Sequence, residues 1–187
     1  YMIWNEKSSF LKTASDLNPF STSHLFWVDI GLFRNASDMF RFRHWPQPAP
    51  LAAIPSAKIL LLQVEPFSDE ELEIPEEGSL GVDFQYANRI GGGVFGGDIP
   101  AISRWYREFY ATLAAYMRQQ RFAGKDQSIM ATLCIRVPDL CHLVAPPPHW
   151  RLVSKTQTTA NPWFYLQEYL LEGPGAGLDE VSTDAGS

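Results

Sequence analysis

HLFWVDIG, residues 24–31, runs bulky apolar side chains straight into an acid and then a glycine. A run this continuous suits a strand covered on both faces, in the middle of a parallel sheet. Asp29 has no charged neighbour in sequence, and its plainest role is to cap the next turn through its own backbone. AKILLLQVEPF (57–67) reads as a second strand ended by proline, and CHLVAP (141–146) as a last one.

Helical periodicity fills the spaces between. PAISRWYREFYATLAAYMRQQRF (100–122) places Ile102, Trp105, Tyr106, Phe109, Leu113, Tyr116 and Met117 on one face. Pro100 stands near its start, where a missing N–H costs nothing. NEKSSFLKTASDL (5–17) is a shorter amphipathic helix with Phe10, Leu11, Ala14 and Leu17 at helical spacing, and NPF stops it. DQSIMATLCIRV (126–137) makes another helix, stopped by Pro138, and NPWFYLQEYLL (161–171) a terminal amphipathic piece. Strands alternating with helices predict an α/β fold with a mixed, mainly parallel sheet flanked by helices. Residues 1–172 read as one domain, and 173–187 as a tail without structure.

Composition narrows the partners. With 187 residues and 45% apolar residues, the chain has material for a real core. SDEELEIPEE (68–77) holds six of the 21 acids, leaving 15 against 15 Lys and Arg. That run reads as a solvated loop or a partner-facing edge, since nothing in it has ligand spacing. No basic stripe points to nucleic acid, and no apolar run approaches the roughly 20 residues that span a bilayer. Cys134 and Cys141 form no CxxC signature; two buried thiols are expected, with pairing across the intervening loop the alternative.

Individual motifs carry little. GGGVFG (91–96) matches G-x-G-x-x-G, yet no apolar strand immediately precedes it and no strand with an acid follows some 20 residues on, so a dinucleotide site is rejected. Its glycines permit a close approach to the backbone that residues with a Cβ forbid. Asp126 is offered as the N-cap of a helix, and Asp98 ahead of Pro100 likewise favours a helix start. The four His show no zinc-hydrolase spacing.

Taken in order, the motifs FWVDIG, RIGGGVFGGD and GKDQSIM resemble the catalytic half of a GT-A glycosyltransferase. With WNEKSSFL, NPF and WFYLQEYL added, the chain resembles the HtrL/YibB-like family over roughly residues 1–172. The resemblance implies a transferase using a nucleotide-sugar donor and a glycan or other hydroxyl acceptor. It makes Asp29 the ligand of a divalent metal, Mn²⁺ or Mg²⁺, which would be that acid's counter-charge. Gly92 and Gly93 would line the donor sugar, with Asp98 close by. Asp126 and Gln127 would face the acceptor or the sugar, with Asp126 as general base if the reaction inverts configuration. Arg34 and Lys7 would reach phosphate oxygens, although a surface position is the plainer expectation for Lys7. The chain departs from the D-x-D pattern in carrying Gly31 in place of the second acid. Part of the N-terminal nucleotide-binding unit is expected to be lacking, so a non-catalytic domain that binds a glycan or protein is the second expectation. Location is left open; an anchor upstream would place the chain in the secretory pathway or Golgi lumen.

Overall fold

Strand β3, Ile90–Asp98, organises the sheet in the computed structural model, which describes residues 2–33, 38–73, 75–148, 150 and 161–174. Around it lie β1 (His24–Val28), β2 (Ile59–Gln63) and β4 (Cys141–Val144), in the order β1-β3-β2-β4. β3 pairs antiparallel with β1 and with β2, and only β2 and β4 run parallel. The fold is α/β with a mixed sheet, as expected, but the sheet is not mainly parallel. An apolar run reports that both faces of a strand are covered and says nothing of its direction. β2 fits that reading, with Ile59–Leu62 all buried. β1, for which the apolar run predicts a central place, is a half-buried edge.

Glycine decides how tightly β3 is held. A Cβ on Gly96 would lie 2.1 Å from the carbonyl oxygen of Leu25, and one on Gly97 2.4 Å from that of Lys58. Neighbouring backbone therefore closes in from both sides, which only a residue without a Cβ permits. Further back, Leu61 pairs with Phe95 while the next residue, Leu62, pairs with Gly91. Gly92, Gly93 and Val94 thus have no partner on β2, and the strand bulges.

The chain divides into two compact units, residues 1–29 with 54–145, and residues 30–53 with 146–187. In the first, α5 (Ile99–Arg118) starts from Asp98, whose carboxylate accepts the Ala101 N–H at 2.8 Å. Its buried stripe of Ile102, Trp105, Phe109, Thr112 and Tyr116 includes Trp105, which packs on Phe95. α1 (Met2–Leu17) and α6 (Asp126–Arg136) lie against α5. The Trp105 indole donates to Ser8 on α1 at 3.0 Å, and the Tyr116 hydroxyl donates to the Ser128 carbonyl of α6 at 3.1 Å.

Helix α1 is turned relative to its apolar pattern. Leu11 is buried, but Phe10 and Leu17 are 54% and 73% exposed, while Asn5, Lys7, Ser8 and Ser15 are buried. Hydrogen-bond partners decide this face: the Asn5 amide donates to the Ala123 carbonyl at 2.8 Å and Ser8 receives Trp105. The two cysteines form a disulfide, correcting the expectation of free thiols; it ties the last part of α6 to the start of β4. In the acidic run, Glu71 on the short α4 (Asp69–Leu72) is buried and accepts from the Arg89 guanidinium at 2.9–3.1 Å. The remaining five acids are exposed, as a solvated run requires.

The second unit holds α2 (Asp38–Arg41), α3 (Pro48–Ala52) and α7 (Tyr165–Glu172). Arg41 grips Glu168 and Glu172 of α7, and the Trp45 indole donates to the Gln167 carbonyl at 2.9 Å. Of the expected tail, residues 175–187 lie outside the described residues.

In urea unfolding, Gly96→Ala should destabilise the protein by about 1–3 kcal/mol through the forced shift of β1. Gly31→Ala, whose Cβ would meet nothing within 4 Å, should stay close to wild type in the same urea-unfolding experiment.

Candidate functional site

Asp29 sits one residue past β1, and its N–H continues the ladder by donating to the Gly93 carbonyl at 2.8 Å. Residues two apart on a strand share a face, so Trp27 turns its indole toward the same carboxylate. Its N–H donates to Oδ1 at 2.6 Å. The other oxygen, Oδ2, accepts from the ammonium of Lys7 at 3.2 Å. Phe10, one turn along α1 from Lys7, stacks on the Trp27 ring with centroids 6.1 Å apart.

Lys7 joins this acid to a second one. Its Nζ donates to the Gly92 carbonyl at 2.9 Å, the group the β3 bulge releases from β2, and stands 3.3 Å from Oδ2 of Asp126. Asp126 occupies the first turn of α6, where the positive end of the helix favours an anion. Its Oδ1 accepts the N–H of Gln127 at 2.9 Å, while the buried Oδ2 makes no well-aligned hydrogen bond and is held by charge. A Cβ on Gly92 would fall 2.8 Å from that Oδ2, so the glycine makes room for the acid.

The side chains of Lys7 and Asp126 are 10% and 4% exposed, against 40% for Asp29. The cluster is therefore closed at Asp126 and open at Asp29. One ammonium between two carboxylates leaves one net negative charge. Burial pushes the Asp126 carboxyl above its ordinary value; Lys7 and the Gln127 N–H pull it back, and Asp29 adds to the rise. A carboxylate so placed is a better proton acceptor than a solvated one.

Lys7, Asp29, Gly92, Gly93 and Asp126 thus meet, with the Gln127 side chain beside them: its Cγ would lie 3.6 Å from a Cβ on Gly92. Asp98 does not join them. It lies six residues along β3 from Gly92, about 20 Å at ~3.3 Å per residue. Both its oxygens are used, by the N–H groups of Ala101 and Ala57 and the Ser56 hydroxyl at 2.8–2.9 Å. Burial opposes them, yet these bonds hold its carboxyl below the ordinary range, so it is a helix cap. Lys7 is buried, where a surface position was the plainer expectation. Arg34 lies outside the described residues. Sequence reasoning missed Trp27, whose signal was its place two residues before Asp29.

A family model described as "Bacterial protein of unknown function (HtrL_YibB)" matches residues 1–151. The chain belongs to the HtrL_YibB family. The matched span contains every residue of the cluster. No curated protein and no solved structure matches the chain. Among the described residues no helix is long and apolar enough to cross a membrane.

The divalent metal implied by the glycosyltransferase resemblance can be tested against these donors. Asp29 offers the one open carboxylate of the cluster, and both its oxygens already accept a hydrogen bond. An ammonium stands 3.2 Å from it and covers the second acid. A divalent ion on Asp29 would face that positive charge at close range, so the donor set of this HtrL_YibB chain, as folded, does not fit a metal there.

The pH dependence of stability tests the Asp126 environment. A carboxyl whose folded pKa is raised binds its proton more tightly in the native state. Its contribution to stability is then lost as pH rises from the unfolded value, near 3.9, through the folded one. Asp126→Asn removes that loss. The stability of the variant minus that of wild type should increase as pH rises from about 3 through the raised value, then level off. A difference that falls over the same range in urea titrations would place Asp126 in a different environment.

Proposed function

We propose that this HtrL_YibB chain carries the reaction centre of a glycosyltransferase that moves a sugar from a nucleotide diphosphate to a hydroxyl acceptor. The supporting observation is the meeting of Asp29, Gly92, Gly93 and Asp126 around Lys7, from four separate parts of the chain. In the proposed step the acceptor oxygen forms a bond to the anomeric carbon. The bond from that carbon to the diphosphate oxygen breaks, and its electron pair leaves on the diphosphate. The acceptor proton passes to Asp126, whose carboxyl is raised above its ordinary value by burial and is thereby a better proton acceptor. Asp29, open on its outer side, orients hydroxyls of the bound sugar by accepting their hydrogen bonds.

One observation favours a second reading, a domain that binds a glycan without turnover. The charges of the cluster are already balanced within the chain except for one, as in a purely structural ion network.

A panel of nucleotide sugars, followed by release of nucleoside diphosphate with and without saccharide acceptors, separates the two. Transfer should occur with at least one donor, and Asp126→Asn should lower kcat by about 10²- to 10⁴-fold. Asp98→Asn, which keeps a good helix cap, should leave kcat unchanged. Saccharide binding with no turnover of any donor would favour the binding domain.

A further inference from the structure

Three oxygens from three distant parts of the chain point at one atom. The carboxylate of Asp29 ends β1, the carbonyl of Gly92 lies in the β3 bulge, and the carboxylate of Asp126 opens α6. They stand 3.2, 2.9 and 3.3 Å from Nζ of Lys7. Two carboxylates and a main-chain carbonyl are the hard oxygen donors that Mg²⁺, Mn²⁺ and Ca²⁺ take, at 2.0–2.6 Å. Here the cation at their centre is an ammonium, delivered by α1 on a four-carbon stem.

We infer that Lys7 is the resident cation of this site, occupying the position a divalent metal would otherwise take, and that the site binds no divalent ion while Lys7 is in place. Four features of the fold serve that arrangement. α1 buries the face that carries Lys7 and leaves Phe10 and Leu17 outside. The bulge frees the Gly92 carbonyl from β2. The missing side chain of Gly92 lets Asp126 approach. Asp126, almost wholly buried, needs a positive charge beside it to stay ionised at all.

A lysine kept for phosphate would hold its ammonium toward solvent. This one is 10% exposed and ringed by oxygens of its own chain. The inference therefore removes Lys7 from the phosphate ligands. It makes the site of the proposed transferase independent of divalent metal. It rests on that proposal only for the purpose of the site, because exchange of lysine for metal is a property of the free protein.

The test uses the whole chain and Mn²⁺ alone. Melting temperature and bound Mn²⁺, by loss of the free-ion paramagnetic resonance signal, are measured in EDTA and in millimolar Mn²⁺. The proteins are wild type, Asp29→Asn, Lys7→Ala, Lys7→Gln and the double variant Lys7→Ala with Asp29→Asn. Wild type should show no Asp29-dependent Mn²⁺ binding and the same melting temperature in both conditions. Lys7→Ala should melt lower in EDTA, bind about one Mn²⁺ and recover several degrees with it, and the double variant should lose that recovery. Lys7→Gln, which keeps the stem and loses the charge, should show a weaker gain. Mn²⁺ binding by wild type that Asp29→Asn abolishes would overturn the inference. So would a folded Lys7→Ala that ignores Mn²⁺. Should neither lysine variant fold, the wild-type and Asp29→Asn titrations still decide it. Failure to find a sugar donor would leave these outcomes unaffected.

Discussion

The ammonium of Lys7, held among oxygens of Asp29, Gly92 and Asp126, is the interaction on which the rest of the first unit depends. Two carboxylates cannot share a mostly buried site as anions without a cation between them. Supplying that cation from α1 fixes which face of the helix turns inward, and polar residues fill it. Removing one partner from a buried ion pair costs about 3–5 kcal/mol, because the other charge is left without compensation. The geometry of the site and the docking of α1 are therefore one problem with one solution.

The glycine-rich strand solves the complementary problem for the backbone. Gly96 and Gly97 accept the close approach of β1 and β2, which sets the middle of the sheet. Gly92 and Gly93 lie in the bulge, where one carbonyl holds Lys7 and the next holds the Asp29 N–H. A single stretch of sequence thus aligns three strands and two acids. Such a stretch resembles a nucleotide loop in its spacing alone; as a strand, it uses its glycines to admit neighbouring parts of the same chain.

Much of this was readable in advance, and the physical reasons for the rest are specific. α5 was legible because Ile102, Trp105, Phe109 and Tyr116 recur at helical spacing and are buried, although Met117, placed on the same face, is exposed. β2 was legible because its four core residues are uninterrupted. Asp126 was legible as the acid that opens α6, although the N-cap position itself falls to Lys125. Strand direction was not, since burial on two faces leaves the same apolar run in parallel and antiparallel sheets. The inward face of α1 was misread because its partners are hydrogen bonds and charges from residues over 80 positions away, such as Gly92 and Ala123. Lys7 looked like a surface residue for the same reason: the oxygens that bury it are remote in sequence. Family membership adds no activity to these observations, as the HtrL_YibB family is one of unknown function. The functional proposal stands on the site itself.

A double-mutant cycle between Lys7→Met and Asp126→Asn, read by urea unfolding at neutral pH, tests the central contact most directly. Met keeps the length of the stem and Asn the shape of the acid, so the cycle isolates the charge interaction. The account predicts a coupling energy of at least about 1 kcal/mol, the double variant being less destabilised than the two single variants together. Additivity within about 0.3–0.5 kcal/mol would mean that the ammonium does not sit against this acid, and the site described here would have no centre.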